Sequence, residues 1–242
     1  APLAELLVTG DPGVEAMMAA ARVRLLAGNP VGALDLVRIA QARAPGRADI
    51  LQLQARVAAQ LGQVDAAIEA CHAALQLDTA RAQLWYDLGA LEERREDWSA
   101  ARSAYEDDLD LLPTYAVATL ALADLSRRTG EHGEAIQLLV SSLDTDPYDI
   151  DALILLGRTL VDAGRPARAL EAFIRVLRFE PDRPEALYHA GVALTRLRRF
   201  ADAVRAWERV TRLSPQSDLA KSARAQSRSA RDLQFILTRQ AS

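Results

Sequence analysis

One cysteine, one lysine and three histidines in 242 residues leave little for thiol or metal chemistry to work with. Cys71 alone cannot close a disulfide within the chain, which fits a reducing compartment. His72, His132 and His189 lie far apart in sequence, and no pair has the spacing of metal ligands. No apolar run approaches the roughly 18–20 residues that a membrane-spanning helix needs. The expected compartment is therefore the cytoplasm, or the periplasm where a leader has been removed. A chain that opens on Ala1 rather than Met reads as a processed form or a piece of something longer. Of the 29 basic residues only Lys221 is a lysine, the coding bias of a GC-rich, bacterial genome. The sequence Gly10-Asp11-Pro12-Gly13 is a turn and not a phosphate loop. The carboxylate neighbours Glu92-Glu93 and Asp107-Asp108 diverge on a helix instead of converging. No catalytic, cofactor or metal constellation emerges, and the expectation is a protein that is not an enzyme.

What is present is a period. Ala33, Ala67, Ala101, Ala135, Ala169 and Ala203 stand 34 residues apart, and Pro45, Pro113, Pro147, Pro181 and Pro215 keep the same register, with Thr79 in the one gap. A fixed period of this length means stacked supersecondary units that bury their apolar faces against their neighbours. Six gapless units follow: 14–47, 48–81, 82–115, 116–149, 150–183 and 184–217. Each holds two stretches with apolar residues at helical spacing and a break between them. The break carries Gly28, Gly62, Gly130 and Gly164 in four units, and Glu96 and Arg198 in the other two. Glycine there can end a helix in the left-handed conformation. Proline after the second stretch stops the next turn. Every unit thus reads helix–turn–helix with no strand.

Small residues (Ala21, Ala55, Gly89, Ala123, Gly157, Gly191) recur eight residues into each unit, facing the periodic alanines, and predict close helix approach. A bulkier group follows four residues after each alanine: Val37, Cys71, Tyr105, Leu139, Phe173, Trp207. It is expected to fill the gap towards the next unit. Residues 218–242 form no seventh unit but read as a capping helix and tail, with Leu219, Ala223, Ala230, Leu233 and Leu237 on one face. Its apolar tip, 233–237, is expected either to pack on the stack or to dock a partner or a second copy. Residues 1–13 form an N-terminal segment, with a short helix expected over Leu3–Val8.

This pattern resembles the tetratricopeptide repeat family over residues 14–217. The unit 82–115 carries it best, with Trp85, Leu88, Gly89, Ala101, Tyr105 and Pro113 on the signature positions. Glu92 and Asp108 depart from it, standing where the family prefers an aromatic and an alanine, and Gln54 replaces a leucine. Pentatricopeptide repeats run one residue longer and read RNA; the gapless 34 argues against them. The resemblance implies an all-α, right-handed α-solenoid of six repeats that recruits protein partners on the concave face of the first helices.

The fifth residue of each unit should then point into the groove, giving Met18, Gln52, Tyr86, Leu120, Ile154 and Tyr188. An apolar row from Tyr86 to Tyr188 suits a helix or short linear segment. Nearby, Arg158 suits a carboxylate, Asp87 and Asp124 suit a basic flank, and His189 adjoins Tyr188. The expected partner-binding set is Tyr86, Asp87, Leu120, Asp124, Ile154, Arg158, Tyr188 and His189. The lysine and asparagines with which chaperone-binding members hold a terminal carboxylate are not found at these places.

Net charge by unit runs +3, −2, −6, −4, +1 and +3, with +3 in residues 218–242. An acidic middle interrupts any basic track for nucleic acid, so no nucleic-acid partner is expected. The leading reading is a non-enzymatic scaffold or adaptor that takes a helical or extended peptide. The alternatives are a structural subunit, a homo-oligomer through the C-terminal helix and charged ends, or a recruiting domain of a larger enzyme or signalling protein.

Overall fold

A computed structural model describes residues 13–113 and 116–240. The short helix expected over Leu3–Val8 lies outside the described residues. Helices follow in pairs: α1 (Val14–Leu26) and α2 (Pro30–Arg43); α3 (Ala48–Gln60) and α4 (Val64–Leu77); α5 (Ala82–Arg94) and α6 (Trp98–Leu111). After these come α7 (Ala116–Arg128) and α8 (His132–Thr145); α9 (Ile150–Asp162) and α10 (Pro166–Phe179); α11 (Pro184–Arg196) and α12 (Phe200–Leu213); and the long α13 (Asp218–Gln240). Among the described residues there is no strand. The architecture is an α-solenoid of helix–turn–helix repeats. Its contacts form two compact units, Ala1–Ala118 and Thr119–Ser242.

The breaks inside the pairs behave alike. Gly28, Gly62, Gly130 and Gly164 all have positive φ, and so do Glu96 (63°) and Arg198 (60°), the two non-glycine residues at the same register. In all six the amide of the following residue donates to a carbonyl five residues back, at 2.8–3.0 Å, as Asn29 does to Arg24 and Asp97 to Glu92. These bonds satisfy carbonyls that a helix end would otherwise leave orphaned. Prolines 30, 166 and 184 occupy the first helical turn of α2, α10 and α11, where the missing N–H costs nothing.

Inside each pair, size is matched across the interface. A Cβ added to Gly89 would lie 2.5 Å from the Tyr105 ring, one on Gly157 2.5 Å from Phe173, and one on Gly191 2.5 Å from Trp207. The bulky group therefore covers the small residue of its own pair, and Phe173 also reaches the next unit, where its ring lies 6.0 Å from that of His189. Glycine appears where the partner is aromatic, and alanine where it is Val37, Cys71 or Leu139. The polar ends of two rings are used as well: Trp207 Nε1 donates to the Tyr188 carbonyl at 3.0 Å, and the Tyr105 hydroxyl donates to Glu93 at 2.8 Å.

In the second unit, α13 lays Ala220, Ala223 and Ala230 into the fold, with Ala223 and Ala230 in one apolar cluster with Val204, Trp207 and Val210. The tip is different: Leu233, Phe235 and Ile236 are exposed. First helices also touch one another, α1 on α3, α9 on α11 and α11 on α13.

A first-helix surface as the candidate functional site

In the first unit, the first helices α1, α3 and α5 line a solvent-open cavity of about 430 Å³. Its space comes from small side chains: Ala55 and Ala59 on α3 and Ala90 on α5. Its apolar rim comes from Leu25, Leu26 and Leu91, with Leu26 89% exposed. The polar edge is already organised. Arg56 Nε reaches Asp87 Oδ2 at 3.1 Å, Gln83 donates to the other oxygen of Asp87 at 3.2 Å, and Arg94 donates to the Ala59 carbonyl at 3.2 Å. At the base lies Cys71, whose thiol burial pushes up to about 12, so it stays protonated and apolar in character. Asp87 is thus a cavity residue with its carboxylate engaged, and Tyr86 next to it is half-buried with its ring 5.8 Å from that of Tyr105.

In the second unit the corresponding surface is built from α7, α9 and α11. Arg127 is its hub: Nε donates to Asp124 at 2.9 Å and Nη1 to Asp162 at 2.8 Å. Arg158 stands 4.0 Å from Asp124, makes no hydrogen bond among the described residues, and keeps its side chain 37% exposed. Burial and the neighbouring Arg127 charge hold its guanidinium below the usual arginine range, yet far above neutrality. His189 packs against the Phe173 ring (6.0 Å between centroids, 18° between planes) and edge-on to Tyr188. Burial, then the charges of Arg158 and Arg127, push it down to about 4. His189 is therefore a neutral ring at pH 7 and adds no charge to the surface.

The expected groove row divides. Tyr86, Leu120 and Tyr188 are half-buried and reach the surface. Ile154 is 8% exposed and belongs to the apolar core of its unit, and Met18 is sealed likewise. Direct contact between neighbouring first helices closes over both, which removes them from any continuous apolar strip. Asp124, like Asp87, is already paired by a cation of its own chain. Sequence reasoning missed Arg127, whose partner Asp162 is 35 residues away. The signal was there in principle, since a full period of 34 plus one brings two residues onto adjacent first helices at nearly equal height.

Among the described residues no group of His, Cys, Asp and Glu is arranged to hold a metal ion. Among the described residues no helix is long and apolar enough to cross a membrane.

Several solved structures share this architecture. YrrB, described as a tetratricopeptide repeat protein with an unusual peptide-binding site, is 20% identical over 78% of this chain and 97% of its own, with a TM-score of 0.61. PilW, described as a widely conserved type IV pilus biogenesis factor, is 20% identical over 86% of this chain and 97% of its own (TM-score 0.74). PilF of Pseudomonas aeruginosa is 17% identical over 88% of this chain and 96% of its own (TM-score 0.70). At these identities the likeness is one of fold. Curated protein sequences give no match. The family profile described as "Tetratricopeptide repeat" matches residues 53–116, 86–150 and 154–218, well over half of the sequence, and the chain belongs to the tetratricopeptide repeat family.

Proposed function

We propose that this chain is a non-enzymatic scaffold that holds a helical or extended segment of a partner protein against the first-helix surfaces of its repeats. Proteins of this family are in general protein-interaction scaffolds, and YrrB is described as carrying a peptide-binding site. The observation that carries the reading for this chain is the cavity on α1, α3 and α5. It is open, mostly apolar and about 430 Å³ in volume, within the range of sites that accept one or a few side chains. Ala55 is small because it faces Cys71 in its own pair, whereas Ala59 and Ala90 reach the surface and leave the space that a partner side chain would fill.

In this account an aliphatic side chain of the partner enters between Leu26 and Leu91. In the second unit Leu120 and Tyr188 offer apolar area, and the unbonded guanidinium of Arg158 receives a carboxylate in bidentate geometry. Asp87 and Asp124 position their arginines and do not face a basic ligand. Selection of a displayed random-peptide library tests this. Wild type should enrich a motif with an aliphatic anchor. Ala59→Trp, which fills the cavity, and Leu120→Glu should each lower affinity for the selected peptide by about tenfold or more, roughly 1.4 kcal/mol, with unchanged helicity. Failure to enrich any motif, or a motif indifferent to both variants, would contradict the reading.

A second reading is favoured by the exposed tip of α13: self-association through Leu233, Phe235 and Ile236. Light scattering before and after removal of residues 231–242 distinguishes it, since only self-association predicts a fall in mass larger than the deleted segment.

A further inference from the structure

A helix that only caps a stack needs small apolar residues on one side and any soluble residues on the other. The outer side of α13 is more specialised. Between α12 and α13 lies a cleft of about 360 Å³ into which Arg212, Arg224, Arg228 and Arg231 converge, with Glu208 as its one carboxylate. Glu208 pairs with Arg231 at 2.5 Å, and Arg224 donates to the carbonyl of Pro215. Arg212 and Arg228 make no hydrogen bond or ion pair among the described residues. The cleft thus carries an excess of three positive charges. They line one cleft, and its single carboxylate does not balance them. Even with Asp218 and Asp232 included, residues 218–242 carry +3.

The charge is also ordered. Arg224, Arg228 and Arg231 recur at one-turn intervals on α13, and one turn further the same face presents Phe235, 60% exposed, with the Arg239 guanidinium 5.0 Å from its ring. From 224 to 239 this face runs about 22 Å at the 1.5 Å rise of a helix. Guanidinium forks match planar oxyanions, carboxylate and phosphate alike. Two features select carboxylate. Glu208 already occupies one end of the cleft as a carboxylate on Arg231, and its fixed negative charge penalises a doubly charged phosphate more than a singly charged acid. An aromatic at the end of the stripe calls for an apolar side chain beside the acids.

We propose that the arginine face of α13 is a second docking surface, which binds an acidic segment of a partner protein, its carboxylates spaced along Arg212, Arg228 and Arg231 and an apolar side chain against Phe235. This surface belongs to the second unit, and the proposal does not rest on the first-helix cavity being a binding site.

Fluorescence anisotropy of the full chain with a labelled peptide of alternating Glu and Leu tests it, with the Gln-for-Glu peptide as control. Wild type should bind the acidic peptide and not the control, and affinity should fall about tenfold or more between about 50 and about 300 mM salt. The double variant R212E/R228E should lose binding by a further factor of about ten or more, and Phe235→Ser by about threefold. Melting temperature should not fall in R212E/R228E, because neither arginine has a folded-state partner. If that variant does not fold, R212Q/R228Q carries the same test. The proposal is overturned by equal binding of the two peptides, by binding indifferent to these substitutions, or by no binding. It is also overturned if an oligonucleotide or an anionic lipid vesicle binds through Arg212 and Arg228 and the acidic peptide does not, or if those arginines hold only a salt-sensitive dimer.

Discussion

The two units bury polar groups in opposite ways. In the second unit two buried hydroxyls are satisfied at home: Ser126 Oγ donates to the Leu122 carbonyl at 2.9 Å, and Thr159 Oγ1 to that of Leu155 at 2.8 Å. In the first unit the buried polar groups are carboxylates. Glu92 is 3% exposed with one oxygen 2.7 Å from Arg95. Asp108 is fully buried and neither of its oxygens has a hydrogen-bond partner. A hydroxyl can turn its donor onto the carbonyl one turn back on its own helix, so a repeat absorbs it at little cost. A carboxylate has only acceptors and must find a donor elsewhere or take a proton. Burial first, and the charge of Asp87 second, push Asp108 up to about 6. The same register holds Ala40 and Ala74 in the first unit and Val176 and Val210 in the second, all fully buried, and Ser142 between them. The contrast lies in one position of a repeated pattern, where Asp108 alone is an acid.

The largest way to break this comparison is to damage the better core. Trp207→Ala removes a buried ring that covers Gly191 and should cost about 3–5 kcal/mol, measured by urea unfolding. Trp85→Ala should cost less, because Trp85 is only half-buried and its indole N–H ends on the Thr79 carbonyl near solvent.

Next in size, Asp108→Val should stabilise the chain by about 1–3 kcal/mol by placing there the apolar side chain that Val176 and Val210 supply in the last two repeats. Asp108 also sets a pH dependence. Its folded value lies above its ordinary 3.8, so the folded chain holds the proton more tightly than the unfolded chain. Its contribution to stability is complete below about pH 4 and is lost as pH rises through about 6. Wild type should lose stability relative to Asp108→Asn across that window, and parallel pH profiles would show the carboxylate to be solvated.

The smallest effects lie at the turns, where the units are alike. Glu96→Gly and Arg198→Gly should each stabilise by about 0.5–1 kcal/mol, by relieving a left-handed side-chain-bearing residue at some cost in chain entropy. Equal shifts in melting temperature would show that the difference between the units is in their cores.

Those turns show what was legible in the sequence. Register alone placed Glu96 and Arg198 with four glycines, and all six have the left-handed backbone, because local chain geometry is fixed within a few residues. Small residues opposite large ones were equally readable. The surface was harder. Whether Ile154 faces a groove or the core depends on how closely α9 meets α11, a distance that no residue of α9 encodes alone. The departure of Asp108 from the family pattern was visible at once, but its lack of a donor depends on every helix packed around it. Arg127 was overlooked because its network joins two adjacent repeats.

The central claim is that partners bind the first helices. Hydrogen exchange read by mass spectrometry, on the full chain with and without the peptide selected by display, tests it most directly. The account predicts new protection on α1, α3 and α5, around Leu26, Ala59 and Ala90, with α4 and α6 unchanged. Protection confined to the second helices of the pairs would contradict it and move the binding surface to the opposite side of the repeats.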